Sequence, residues 1–160
     1  MDLKFFPHHL GIWEGTYTRL APDGSIMFKH KSRLTFRMDG KKWYQTNLYN
    51  FDDGREEFHN FGEAIFDDNG VMTFDNPRIY GKAWEGDKNI MLEWTYKDQP
   101  GSRLFEMITL INPGHRMRVW QFSQDDEFQG LMMIEEWQIA KEEEVDPVHF
   151  QTKSYIKEAV

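Results

Sequence analysis

Turn sequences recur along this chain at short, regular intervals, and no other feature restricts its fold as much. Pro22-Asp23-Gly24, Asp39-Gly40, Asp52-Asp53-Gly54, Asp68-Asn69-Gly70, Glu85-Gly86-Asp87, Gln99-Pro100-Gly101, Asn112-Pro113-Gly114 and Asp125-Asp126 follow one another in order. Glycine supplies the positive φ that tight hairpins need, and Asp or Asn tolerates it. Between the turns lie segments of roughly ten residues rich in Thr, Tyr, Phe, Trp, Ile and Met, the spacing of an all-β meander. Strands are expected near 12–20, 26–37, 42–50, 56–66, 78–84, 89–96, 103–111, 115–123 and 128–139, with a short extra one at 71–74 before Asn76-Pro77. Helical periodicity is weak throughout.

Strands joined by tight turns form an antiparallel up-and-down sheet. Closing nine or ten of them into a barrel removes the exposed edges and leaves room for one small ligand. A two-sheet sandwich needs longer crossing connections than these. The ends lie outside the meander. Leu3 to Leu10 is expected to cap the barrel floor as a short helical turn. Residues 141–160 are expected as a C-terminal tail, packed on the barrel or partly mobile, behind a barrel domain of 1–140.

Composition narrows the function. Aromatics make up 16% of the 160 residues, more than a minimal core requires, and a barrel lined with rings and wet outside accommodates them. The net charge of −8 argues against nucleic-acid or anionic-membrane partners. With no cysteine there are no disulfides, thiolate metal sites or cysteine nucleophiles. No apolar run reaches the ~20 residues of a membrane span, and no signal peptide is evident, so a cytoplasmic protein is the default expectation.

Alternation then sorts the side chains. Trp13, Gly15, Tyr17 and Arg19 share one face of the first strand. The second strand divides cleanly, placing Phe28, His30, Ser32, Leu34 and Phe36 inward. In the third, either Gln45, Asn47 and Tyr49 or Tyr44, Thr46 and Leu48 face inward. An unbroken alternation over the fourth groups Phe58, Asn60, Gly62, Ala64 and Phe66 against His59, Phe61, Glu63 and Ile65. His59 and Glu63 are about 13 Å apart in a strand, too far to share a metal ion. Charges interrupt the late apolar strands: Glu106 sits among Leu104, Ile108 and Leu110, Arg118 among Arg116, Trp120 and Phe122, and Glu136 beside Met132 and Ile134. Buried charges must be paired or shift their pKa, so a Glu106–Arg118–Glu136 cluster is either a structural ion pair or a polar floor that orients a ligand. No hydrolase, phosphate-loop, dinucleotide or zinc signature is present, and no metal or cofactor is expected.

Gly11-Ile12-Trp13 with residues 15–19, Gln45-Thr46-Asn47, Asp53-Gly54-Arg55, Gly81-Lys82-Ala83-Trp84-Glu85 and Glu106-Met107-Ile108-Thr109-Leu110 together resemble an uncharacterised calycin-like family found in cyanobacteria and other bacteria. The resemblance covers roughly residues 8–139. It implies a lipocalin-like barrel with a central cavity, related in fold to fatty-acid-binding proteins, nitrobindins and chromophore lyases. In lipocalins a basic residue on or after the last strand covers the Gly-x-Trp tryptophan. Here 128–139 contains no Lys or Arg, which leaves Arg116 or Arg118 to substitute. A nitrobindin-like haem site requires an axial histidine, and His149 lies beyond the barrel.

The leading expectation is an intracellular barrel binding a small, mostly apolar ligand with a polar or anionic group. Tyr17, Arg19, Tyr44, Gln45, Asn47, Tyr49, Trp84, Trp94 and Trp120 are the candidate contacts. The alternative is a cofactor-independent isomerase, cyclase or lyase, with Glu106 or His30 as acid/base and Arg118 as anion stabiliser. A protein-interaction or chaperone-like module is the third reading, and a homodimer is compatible with all of them.

Overall fold

The computed structural model describes residues 1–159; Val160, the last residue of the expected tail, lies outside the described residues. Ten strands follow the turn signals: β1 (Gly11–Leu20), β2 (Ile26–Asp39), β3 (Lys42–Asn50), β4 (Glu56–Phe66), β5 (Met72–Asp75), β6 (Ile79–Gly86), β7 (Asn89–Tyr96), β8 (Ser102–Asn112), β9 (His115–Gln124) and β10 (Glu127–Ala140). Each pairs antiparallel with the next, and β10 returns to pair with β1 along its length. The result is a closed up-and-down barrel. Glycines 24, 40, 54, 70, 101 and 114 sit at positive φ in its turns. At 86–89 and 124–127 the work is done instead by Asp87-Lys88 and Asp125-Asp126, adjacent pairs at positive φ that match the right-handed strand twist.

β4 departs from simple alternation. Tyr44 pairs with Glu63 and Thr46 with Asn60, so Gln45 alone faces both Phe61 and Gly62. This is a β-bulge, with Gly62 at φ +69°. Because side chains alternate with period two, the extra residue reverses the faces on either side of it. Ala64 and Phe66 point into the barrel, whereas Phe58 points outward and His59 inward, which corrects the single-face expectation for this strand.

The outward part of β4 is covered by the tail. An eleventh strand, β11 (Tyr155–Lys157), pairs with Glu56–Phe58. A 3-10 turn at Pro147–Gln151 brings His149 Nε2 within 2.7 Å of Thr46 Oγ1. Phe58 stacks on Tyr155 and meets the His149 ring edge-on. Asn60 Nδ2 donates to the carbonyls of Phe150 and Thr152. The tail thus satisfies a strand edge that β5 leaves free, since β4 and β5 pair only through Ile65–Thr73 and Phe66–Met72.

The N-terminus closes the opposite end. Phe6–His9 forms a 3-10 turn, and the Glu85 carboxylate accepts from the backbone N–H groups of Lys4, Phe5 and Phe6. Phe6 packs edge-on against Trp43 and Phe66, completing a floor of rings with Trp13 and Phe36.

β1 and β10 approach too closely to admit a side chain at Gly15. A Cβ there would lie 1.9 Å from the Glu135 carbonyl oxygen and 2.7 Å from Glu136 Cγ. Gly15→Ala is therefore expected to cost about 3 kcal/mol or more in urea-unfolding stability, whereas Gly54→Ala, in a turn with open space, loses only what its positive φ demands, about 1 kcal/mol.

Candidate functional site

The barrel interior carries a belt of charge above its aromatic floor. Arg116 and Arg118 come from alternate positions of β9, Glu136 from β10 and Glu106 from β8, so all four point inward. Arg118 Nε donates to Glu106 Oε2 at 2.5 Å, and its Nη1 lies 3.3 Å from both Glu136 oxygens and 3.1 Å from the Tyr17 hydroxyl. Arg116 Nε donates to Glu136 Oε1 at 2.8 Å, and its Nη1 contacts His9 Nδ1 at 3.1 Å. All four charges are almost fully buried.

Burial and pairing pull these groups in opposite directions. For Glu136, desolvation alone would raise the carboxyl pKa, but Arg116 and Arg118 outweigh it and hold the group below the usual range. For Arg118, burial is likewise outweighed, here by Glu106, Tyr17 and Glu136, and the guanidinium is held more firmly charged. Burial raises the Tyr17 hydroxyl far above its ordinary value. His9, desolvated and facing Arg116, Arg118 and His8, is pushed down to about 2 and is neutral. The Arg116 guanidinium lies 4.2 Å over the Trp13 ring, so the basic cover of the Gly-x-Trp tryptophan comes from β9, where the last strand offers none.

Two spaces lie beside and above this belt. An inner cavity of about 70 Å³ is walled by Trp43, Met72, Phe74, Leu92, Trp94 and Trp120, with Glu106 and Arg118 also on its lining. At the open end, a cup of about 770 Å³ is lined by Tyr17, Arg19, His30, Phe51, His59 and Phe122 among others. Tyr49, Arg78, Tyr96 and Trp120 line both and form the partition. On the side wall, where the bulge parts β4 from β5, Asn76 Nδ2 reaches the Phe61 carbonyl at 3.3 Å.

The third strand presents its amide face inward: Gln45 donates to Asn47 Oδ1, and Asn47 donates to the Tyr49 hydroxyl at 2.8 Å. Burial pushes the Tyr49 hydroxyl up to about 12. Tyr17, Tyr49, Trp94 and Trp120 meet as one cluster of rings, and His30 stacks on Tyr17 at 4.8 Å. Arg19 lies 4.0 Å over Phe122 in the cup, its Nη1 donating to the Leu20 carbonyl. Two candidate contacts are corrected. Tyr44 alternates outward from Gln45 and sits under the tail near Phe150 and Glu63. Trp84 alternates outward from Ala83 and meets Phe105 on the outer surface.

Sequence reasoning missed Arg78 and His59. Arg78 Nη1 lies 2.6 Å from each ring nitrogen of His59, while His59 Nε2 is 3.0 Å from Glu57. Burial and the neighbouring Arg78 lower the His59 pKa. Among the described residues, neither Arg78 nor Arg19 has a carboxylate partner, whereas Arg55 pairs with Glu57. The Pro77-Arg78 position just before a strand was the one available signal, and the bulge hid His59. No group of His, Asp or Glu suited to a metal ion occurs among the described residues, and no described helix is long and apolar enough to cross a membrane.

The belt generates two expectations. Glu136→Gln leaves two buried guanidiniums with one carboxylate and is expected to destabilise the fold by about 3–5 kcal/mol in chemical denaturation. His9 supplies a pH dependence. Its folded pKa lies below the unfolded value of 6.5, so the unfolded chain binds the extra proton and stability falls as pH drops below 6.5. His30 and His59 are shifted the same way. Urea midpoints measured as the pH is lowered from about 7.5 to about 5 (about one unit above to about one and a half below an ordinary histidine pKa) are expected to decline, and the decline is expected to be shallower in His9→Gln.

Comparison with solved structures places this geometry. A crystal structure of a protein of unknown function from the DUF3598 family of Nostoc punctiforme superposes with a TM-score of 0.62 at 17% identity, covering 82% of this chain and 48% of that one. The crystal structure of Rv2717c from M. tuberculosis gives a TM-score of 0.57 at 15% identity, covering 82% of this chain and 92% of that one. The chain therefore spans about half the length of the Nostoc protein. At such identities the likeness concerns fold alone. None of the curated proteins matches the chain. The family model for the N-terminal part of DUF3598, a domain of unknown function, matches residues 3–140, and the chain belongs to that family.

Proposed function

We propose that the barrel binds a small amphipathic molecule, its apolar part against the rings of the inner cavity and its anionic group at Arg78. One observation carries this reading. Arg78 stands on the partition between an apolar cavity and an open cup, and no carboxylate among the described residues neutralises it, in a chain with net charge −8. A guanidinium without a carboxylate partner in an acidic protein, between an apolar cavity and an open cup, is a charge-assisted donor for a carboxylate or sulfonate. Arg19 adds a second cation higher in the cup. Preformed concave sites combine many apolar contacts with a few polar anchors; here the open cup supplies most of the volume and the inner cavity a small apolar recess beneath it.

Support for catalysis by Glu106 is weaker. Its Oε2 is already clasped by Arg118, and that guanidinium is further engaged by Glu136 and Tyr17. Such a pair sets the electrostatic floor of the site and leaves little freedom for proton transfer. His30, stacked on Tyr17 and tilted against Tyr49 and Phe51, serves as wall.

Native mass spectrometry of freshly purified protein checks for a retained ligand, and titration with anilinonaphthalene sulfonate checks the site itself. Saturable one-to-one binding with quenching of tryptophan emission is expected. Arg78→Met is expected to weaken it by about 10-fold or more without a comparable loss in melting temperature, while a sulfonate-free analogue responds little to that substitution. Binding that never saturates, or equal affinity for both probes in wild type and variant, would overturn the reading.

A further inference from the structure

The outer wall of the barrel carries a row of apolar side chains in strict register. Trp84 pairs with Met91, Met91 with Met107, Met107 with Val119 and Val119 with Met133. The five lie on strands β6 to β10 and all face outward, a span of roughly 20 Å at ordinary strand spacing. Met107 is 39% exposed, and Trp84, Met91, Val119 and Met133 are half-buried beside it. The terminal segments pack elsewhere, under the floor and against β3 and β4, and leave this face open. A continuous apolar stripe of that length on a soluble-type surface marks an interaction site.

The flanking rows say what fits it. One row runs Lys82, Glu93, Phe105, Gln121 and Leu131, and the other Gly86, Asn89, Thr109, Met117 and Glu135. Their charges have polar partners within the face: Glu93 lies 3.4 Å from Lys82 and 3.5 Å from Arg103, and Glu135 lies 2.8 Å from His115. Lys82 and Arg103 balance Glu93 and Glu135, so this wall is neutral on a molecule of charge −8. A basic partner would be drawn to the acidic remainder, and an anionic surface would be repelled by it. The wall instead has the anatomy of a self-associating surface, an apolar centre between mixed flanks whose charges balance, with Phe105, Leu131 and Met117 extending the apolar area.

We infer that this face is where a second copy of the chain docks, sheet against sheet, with Met107 and Val119 near the centre. A copy brings the same neutral rim, so two acidic molecules meet where their repulsion is least. A standard interface takes about 800 Å² per partner, less than a tenth of the 9244 Å² surface. Antiparallel sheets stack face to face in aligned pairs, and the flexible methionines adapt to an exchanged copy of themselves.

Sedimentation velocity over a concentration series tests this, using the wild-type chain, Met107→Lys on the row, and Ile65→Lys on the exposed outer face of β4. The wild type and Ile65→Lys are expected to dimerise with the same midpoint. Met107→Lys is expected to raise the dissociation constant by about 30-fold or more while its circular dichroism and melting curve at low concentration stay those of a folded barrel. If Met107→Lys unfolds, Val119→Thr, a smaller polar change on the same row, replaces it. A wild type that remains monomeric up to about 1 mM, beyond the range of weak association, overturns the inference. A dimer that Met107→Lys or Val119→Thr leaves intact, or that Ile65→Lys disrupts equally, overturns it as well.

Discussion

Two arginines and two glutamates, buried together in the middle of an aromatic barrel, set the terms for the rest of the interior. Each charge taken from water needs a partner at close range, and Arg116, Glu136, Arg118 and Glu106 supply one another in a chain running from the floor to the inner cavity. The demand propagates outward. Tyr17 must place its hydroxyl within reach of Arg118, Trp13 must lie flat under Arg116, and His9 must stay neutral to accept from the same guanidinium. Gly15 follows from this as well: with no side chain it lets β1 close on Glu135 and Glu136, so that the ring between β1 and β10 seals at the level of the belt.

A second constraint comes from one extra residue. The bulge at Phe61-Gly62 turns Phe58 out and His59 in, and both consequences reach far. Outside, Phe58 becomes the anchor for His149 and Tyr155, which gives the tail a place to pack. Inside, His59 arrives beside Arg78 and joins it to the cup. Strand pairing between β4 and β5 is reduced to two residue pairs, and side chains such as Asn60 and Asn76 take over hydrogen bonds that a regular ladder would have made. The least regular stretch of the barrel is therefore the one that borders both the inner cavity and the mouth, as expected where bulges re-aim side chains.

The charge distribution divides the molecule into regions of different electrostatic character. The belt is internally neutral, the wall of β6 to β10 is neutral by surface pairing, and the excess negative charge lies on the remaining exterior. Against that background the unpaired guanidiniums of Arg19 and Arg78 at the open end stand out, because an acidic chain had many carboxylates with which to neutralise them. The same reasoning favours Glu106 as a positioning charge over a proton donor, since its partner is permanent.

Regular turns and period-two patterning were enough to read the strand count, the antiparallel order and the closed barrel, because those depend on local φ preferences and on alternation within each strand. They also placed Glu106, Arg118 and Glu136 on one set of faces. The inward face of the third strand stayed ambiguous, since Gln45-Asn47-Tyr49 and Tyr44-Thr46-Leu48 are both mixed; hydrogen bonds from Gln45 to Asn47 to Tyr49 on one side, and the tail's cover of Thr46 on the other, decided it. Tyr44, Trp84, His59 and Arg78 could be placed only once register between strands was known. A bulge or a covering tail costs nothing that is visible in a local pattern, yet it reverses which residues meet. The sequence by itself thus determined the container, through local backbone chemistry; which charges lack a carboxylate at its mouth, and which rings line its interior, were decided by tertiary pairing between residues as far as 128 positions apart.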